Sequence, residues 1–516
     1  MLLIKSRLQI IWTKAGVAAC FCLLLLSLGC KPEKDQPLAN QAPLVRIAID
    51  SVGVPDSVSL TTRIKLSWSG QDADGYIEGF KISWGTDSLG AAGSLSSSAL
   101  IAGTDSTFLF NFSGSLEKAI IHFFIQSVDN KGAASAVGHL RIPVKNSFPE
   151  IRFIADGMPA ADTLWSVISL PYFFSDPDGS QNVDSVFVKI NDGNWTPLPK
   201  NLGFISLVPV NPSAIGVTSC FVYGGENLSS LPSKPAPISN LTVPGLKLDD
   251  LNTIYLKVKD QAGAEGKDTT EKSYFVKRKS GDVLLVNAFA GIGSNYCDTL
   301  YSRAFSELNI PFDKINLIRS NGINQPRFWN SQFYLLCQIY GKIFWYGDVI
   351  SSAPGAIPVL LNPASTALKQ FLRFDGKMLG SNTFPDAPFQ LPTDDPVFEL
   401  VPIDTFTRFT NNVRIKPGGI LPATQSGFPD LVTGRLLTGG DIFKVKPGAD
   451  SLYYVPKNMM SNIYPGPVGL PIALRTKNIG GKTNLVFFTI EMAYLNGNRS
   501  ALLSTFNKII NDEFNW

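Results

Sequence analysis

Two stretches of this 516-residue chain follow one plan. In each, an Asp-x-Asp-Gly turn leads into a strand of alternating apolar and polar residues, and a later strand runs out into Asp-x-x-Gly. The first copy has Asp72-Ala73-Asp74-Gly75 before Tyr76–Trp84, and Ile121–Val128 before Asp129-Asn130-Lys131-Gly132. The second has Asp176-Pro177-Asp178-Gly179 before Val183–Ile190, and Tyr255–Lys259 before Asp260-Gln261-Ala262-Gly263. Alternation puts every second side chain on one face, so each strand is built to be half buried. Short strands divided by Asp and Gly turns need a partner sheet, which predicts a β-sandwich. The repeat predicts tandem copies of that fold, over residues 43–145 and 146–279. The second copy carries an insert over about 201–240, rich in Pro, Ser and Gly and containing Cys220.

The strands and turns resemble the fibronectin type III and immunoglobulin-like modules of bacterial surface proteins, over about residues 43 to 278. The turns also carry a chemical reading. Asp72 and Asp74, or Asp176 and Asp178, offer hard oxygen ligands of the kind Ca2+ takes. Neither turn shows the further ligands of an EF-hand loop, and Asp with Gly makes such a turn unaided because Asp bonds its own backbone. Calcium is the one cofactor the sequence raises.

Beyond Lys277-Arg278-Lys279-Ser280-Gly281 the pattern changes. Asp282–Asn287 is a continuous apolar run, as in a parallel strand covered on both faces. Helical spacing follows over about 295–309, through Tyr296, Leu300, Tyr301, Ala304, Phe305 and Leu308, and a strand returns at 312–317. Lys342–Tyr346, Lys377–Gly380 and Asn484–Ile490 read as further buried strands. Asn362-Pro363 offers an N-cap and a first-turn proline for a helix through Leu368, Phe371 and Leu372. A last helix spans about 501–510. Alternating strands and helices predict an α/β doubly wound, flavodoxin-like domain over residues 281–516. Residues from about 384 to 470, rich in Pro, Gly and Phe, read as an inserted β-and-loop segment. The expectation is a multidomain chain: two all-β sandwiches, then an α/β layer.

The order of these later elements resembles the class I glutamine amidotransferase-like fold. The resemblance implies a nucleophilic cysteine on a sharp turn after a central strand, and a late Phe-His-Pro-Glu-like run whose histidine activates it. The matching positions here are Gly380-Ser381-Asn382 and Phe488-Thr489-Ile490-Glu491. Ser381 stands in the cysteine's place, Thr489 in the histidine's, and Glu491 remains. The chain has two histidines, His122 and His139, both in the first β-copy, where a strand histidine reads as structural. A Cys-His or Ser-His pair within the α/β domain is therefore excluded, and spacing places no Ser-Lys pair. Asp348 and Glu491 remain as candidate acid and base, since glycoside hydrolysis needs two carboxyls and no histidine. Gly291-Ile292-Gly293 lies where a phosphate would bind, but the third glycine of a dinucleotide fingerprint is absent. A ligand in the crevice above the strand ends would meet Asn287, Ser294, Tyr296 and Asn382 beside these candidates.

The first thirty residues give an address. Lys5, Arg7 and Lys14 precede an apolar run from Val17 to Leu28, short for a membrane span, which ends in Leu26-Ser27-Leu28-Gly29-Cys30. The junction resembles the lipobox of bacterial lipoproteins. It implies a signal peptide over residues 1–29, a lipid on Cys30 and a flexible tether over 30–42. Lys31 in place of an Asp after the cysteine implies the outer membrane of a Gram-negative bacterium, with the leaflet left open. Cys20 and Cys22 would leave with the signal. Cys220, Cys297 and Cys337 stay, and spacing does not choose a disulfide among them. Cys297, near a helix N-terminus, is a candidate for a lowered pKa. Lys plus Arg number 45 against 42 Asp plus Glu, so no basic field exists for nucleic acid. These features converge on a cell-envelope lipoprotein that binds or scaffolds, with β-modules as stalk and a head lacking a catalytic pair. A glycan, a peptide or an envelope protein is the partner class. A carboxylate-dependent, glycan-directed hydrolase is the alternative. A structural component docking through the Phe-rich segment is the third reading.

Overall fold

The computed structural model describes residues 39–49, 62–110, 118–159, 162–227, 235–266, 269–289, 293–319, 322–323, 329–348, 360–384, 394–409, 415–437, 440–456 and 470–515. The signal, the lipobox with Cys30, most of the tether and Gly291-Ile292 lie outside the described residues. The chain divides into two compact units, one ending at Asn146 and one spanning Ser147–Trp516. No helix among the described residues is long and apolar enough to cross a membrane.

Among its described residues the first unit has six strands: β1 (Leu44–Ile49), β2 (Arg63–Gln71), β3 (Ile77–Gly85), β4 (Asp105–Leu109), β5 (Lys118–Asp129) and β6 (Gly138–Lys145). They form two antiparallel sheets, β1-β2-β4 and β3-β5-β6. Splitting the first, second and fourth strands from the third, fifth and sixth is the pairing of immunoglobulin and fibronectin type III modules. The alternating residues of β2 bury Ile64, Leu66 and Trp68 against Phe80, Phe123 and Ile125 of the facing sheet. His122 and His139 stack on one another, and His139 stacks on Phe124 at 4.3 Å, so both histidines serve the sheet surface.

The second unit opens with a larger sandwich. One sheet has the order β11-β10-β15-β16-β8, from Thr196–Leu198, Val183–Ile190, Asp250–Asp260, Thr270–Lys277 and Thr163–Trp165. The other has the order β14-β13-β12-β9-β7, from Thr242–Lys247, Val217–Gly225, Phe204–Pro209, Ile168–Ser175 and Glu150–Phe153. The expected insert at 201–240 is thereby corrected. Its residues supply β12, whose side chains are all buried, and β13, whose Cys220 and Val222 lie in the sandwich core. Prolines and glycines between these strands mark their turns.

The longer strands that remain are β17 (Val283–Ala288), β18 (Phe312–Asn316), β19 (Lys342–Gly347), β20 (Lys377–Asn382), β21 (Ile403–Phe409), β22 (Gly440–Val445), β23 (Ala449–Val455), β24 (Leu470–Lys477) and β25 (Thr483–Phe488). Seven of them form one sheet, ordered β18-β17-β19-β20-β25-β24-β23. The first five are parallel neighbours, and β24 and β23 add antiparallel at the edge. Apolar residues alternate between the faces. Leu285, Phe344 and Val486 meet helices α1 (Ser294–Glu307) and α4 (Arg499–Asn507) in one core. Leu284, Val286, Trp345 and Phe487 meet α2 (Tyr334–Tyr340) and α3 (Leu361–Arg373) in another.

Two local expectations change. Helix α3 begins at Leu361, one residue before Asn362, whose side chain bonds Asp395 instead of capping the helix. In the Phe-rich segment, β21 pairs with β22 as a small antiparallel ribbon, while β23 belongs to the main sheet. Phe384, Phe398, Phe428 and Phe443 are buried in the head's own cores, which removes them as a docking surface.

The sandwich and the seven-stranded layer share a core. Val167 and Val208 of the sandwich join the cluster around Leu284, Tyr334 and Trp345. At this seam Ser169 and Ser206 lie 2.7 Å apart, and their hydroxyls reach the Ser331 carbonyl at 3.1 and 2.9 Å.

Candidate functional site

Parallel strands aim their carboxyl ends at one edge of a sheet, and the loops beyond that edge form the place where such layers hold ligands. Here the edge carries Asn287 at the end of β17, Asp348 after β19, Ser381 and Asn382 ending β20, and Glu491 after β25. Helix α1 begins opposite them with Ser294, Tyr296 and Cys297. The sequence-predicted residues therefore share one edge of the fold.

The centre of this edge is closed. Ser381 has no exposed surface and Glu491 is 3% exposed. The Ser381 hydroxyl lies 3.2 Å from the Ile490 carbonyl and 3.4 Å from Glu491 Oε1, and accepts the Met492 N–H at 3.0 Å. Glu491 Oε1 also accepts the Tyr301 hydroxyl and the Ala493 N–H, the latter at 3.2 Å, which caps the short helical turn Met492–Leu495. Glu491 Oε2 has no hydrogen-bond partner. Burial is the main reason the Glu491 carboxyl is pushed up to about 7, with the Asp348 charge adding to it against the hydrogen bonds from Tyr301 and Ala493. Tyr301 was legible only as an apolar helix position, because its bond to Glu491 spans 190 residues.

The flanking amides are tied down as well. Asn382 Oδ1 accepts the Trp345 indole N–H at 3.1 Å, and its Nδ2 donates to the Thr383 carbonyl at 2.7 Å. Asn287 Oδ1 accepts the Phe289 N–H at 3.0 Å. Beside it, Asp298 accepts the Tyr346 hydroxyl and the Lys314 ammonium, both at 2.7 Å. The Cys297 thiol is raised by burial and then by the Glu491 charge, the reverse of the expected lowering. Cys220, Cys297 and Cys337 are free thiols in three separate cores, so no disulfide joins them.

The rim is different. Tyr296 and Tyr494 are partly exposed and stack at 6.2 Å between centroids, and the exposed Arg435 guanidinium lies 3.6 Å from the Tyr296 centroid. Sequence reading missed Arg435 and Tyr494, since neither lies in a motif and only the fold brings them to α1. What the edge offers chemically is a closed polar knot with an aromatic and cationic rim.

The Asp turns sit on the sandwiches. Asp72 Oδ1 accepts the Asp74 N–H at 3.4 Å, and Asp74 takes the Lys131 ammonium at 3.0 Å, which lowers its pKa. Asp176 Oδ1 accepts the Asp178 N–H at 2.7 Å, and Asp178 accepts the Ser147 N–H at 2.7 Å and its hydroxyl at 3.2 Å. Among the described residues no three His, Cys, Asp or Glu side chains are placed to hold a metal together.

No protein family and no curated protein matches this chain. Solved structures do. Fibronectin(III)-like modules of Clostridium thermocellum CbhA align at 12% identity and a TM-score of 0.17, over 45% of this chain and 94% of theirs. A 1.5-MDa bacterial ice-binding adhesin aligns at 10% identity and 0.17, over 48% and 68%. The Bacteroides ovatus protein SGBP-B, solved with a mixed-linkage heptasaccharide, aligns at 12% and 0.12, over 46% and 71%. The sandwiches are fibronectin type III or immunoglobulin-like by their strand order.

Proposed function

We propose that this protein is a lipid-anchored cell-envelope protein of a Gram-negative bacterium, whose β-modules present a head that binds or scaffolds and does not catalyse. The head is read as a flavodoxin-like α/β layer related to class I glutamine amidotransferases. Five neighbouring parallel strands with helices on both faces support that relation. One observation carries the loss of catalysis. Where the family would expose a nucleophile, Ser381 is fully buried, and its neighbour is a carboxyl group instead of an imidazole. A nucleophile that no substrate reaches does no chemistry.

Binding then falls to the rim of Tyr296, Tyr494 and Arg435, suited to a glycan or a peptide. The first test is the purified full chain against ester, amide and glycoside substrates, where rates at background are expected and enzyme-like turnover would overturn the reading. On an immobilised glycan and peptide panel, Tyr296→Ala is expected to weaken any captured ligand by about tenfold or more, as loss of a stacking face would. Replacing Cys30 by Ala is expected to move the protein from the membrane fraction to the soluble fraction. Unchanged membrane retention would remove the lipid from the reading.

A second reading has one observation in its favour. Glu491 and Asp348 follow strands of the same sheet edge, and burial, with the Asp348 charge, pushes the Glu491 carboxyl up to about 7, the range of a general acid. It supports a carboxylate-dependent, glycan-directed hydrolase. Loss of a wild-type activity in Glu491→Gln would favour that reading, and full retention would exclude Glu491 from it.

A further inference from the structure

The two sandwiches solve the same turn differently. In the first, the Asp129-to-Gly132 turn brings Lys131 onto the Asp-x-Asp-Gly turn, where its ammonium bonds the Asp74 carboxylate at 3.0 Å and the Asp74 carbonyl at 3.3 Å. In the second, the corresponding turn has the same backbone. Ala133 and Ala264 donate to the Asp129 and Asp260 carboxylates at 2.8 and 2.7 Å, and Gly132 and Gly263 both take positive φ, at 85° and 98°. The residue matching Lys131 is Ala262, which brings no charge.

In the first turn Lys131 serves Asp74 and leaves Asp72 Oδ2 without a partner; in the second, Ser147 serves Asp178 and two buried oxygens are left. Asp176 is 6% exposed and its Oδ2 has no partner; Asn182 is 2% exposed and its Oδ1 has none. The Asn182 amide donates to the Asp178 carbonyl at 2.9 Å, and the Gln261 N–H donates to the Asn182 backbone carbonyl at 2.7 Å, so the backbones of the two turns are joined through Asn182. Buried acceptors without donors cost free energy unless something electropositive meets them.

We propose that this end of the second sandwich is a Ca2+ site, with Asp176 Oδ2 and Asn182 Oδ1 as its side-chain donors and Asp260 beside them. Ca2+ accepts mixed carboxylate, amide and carbonyl oxygens in irregular sets. Since no three acidic side chains converge, the site belongs with the weak ones of extracellular modules, about 0.1–1 mM.

The experiment is thermal unfolding and titration calorimetry of the full chain with CaCl2 alone. At about 10 mM Ca2+ the melting temperature is expected to rise on the order of 3 °C. Asp176→Asn, checked for folding by circular dichroism, is expected to abolish both the heat of binding and the shift. Asn182→Ala, which removes the second oxygen, is expected to do the same, and it keeps the proposal testable if the first variant does not fold. No calcium response in the wild type, or an undiminished response in either folded variant, would overturn the site.

Discussion

Glu491 is a buried carboxyl at the centre of the strand-end edge. Its carboxyl titrates at about 7 in the fold against an ordinary 4.5. Between these values the folded chain holds a proton that the unfolded chain has released. Stability therefore falls as pH rises from about 4.5 to about 7 and levels off above, by on the order of 3 kcal/mol in all. Urea denaturation of the wild type at pH 5 and pH 8 is expected to show that loss. Glu491→Gln keeps the shape without the ionisation, so its profile should be flatter over the same interval. An identical slope in both proteins would mean that the carboxylate is accommodated without cost. The same dry surroundings predict that Cys297 resists thiol reagents until the chain unfolds, since the thiolate is the reactive species.

Among the elements, β20 shows how closely the layer is packed. A Cβ added to Gly380 would lie 2.4 Å from the Phe487 ring of the adjacent β25. Gly380→Ala is expected to cost about 1–3 kcal/mol, read as a lower denaturant midpoint. That outcome bears on Ser381 as well, because the glycine lets β20 and β25 approach where the serine meets Ile490. Elements such as β2, β3, β10 and β17 were legible from alternation or from continuous apolar runs, since burial on one face or two leaves a periodic trace. β12 and β13 were not, because the Pro and Gly that punctuate their turns dominate the composition between 201 and 240. The start of α3 was misplaced because Asn362 is claimed by Asp395, a partner 33 residues away. The candidate site was half legible. Strand ends named Ser381, Asn382 and Glu491, whereas Tyr301 and Arg435 enter through tertiary contacts that leave no local pattern.

At the scale of the whole molecule, the second sandwich and the seven-stranded layer are one body, since Val167 and Val208 are buried in the layer's core. Residues 147–516 are expected to behave as one soluble cooperative unit. Residues 281–516 alone should bind a hydrophobic dye and unfold at a lower denaturant midpoint, because cutting at the junction bares the surface that Trp165, Val167, Val208 and Tyr223 now cover. Equal stability of the two fragments would show the seam to be superficial. The serine pair clamped on the Ser331 carbonyl gives this seam a mechanical meaning. A pull arriving from the N-terminal side reaches the layer through the backbone at 279–281 and, side by side with it, through the buried seam. Load shared in this way makes the joint a weld, and the layer would extend only after the weld has sheared.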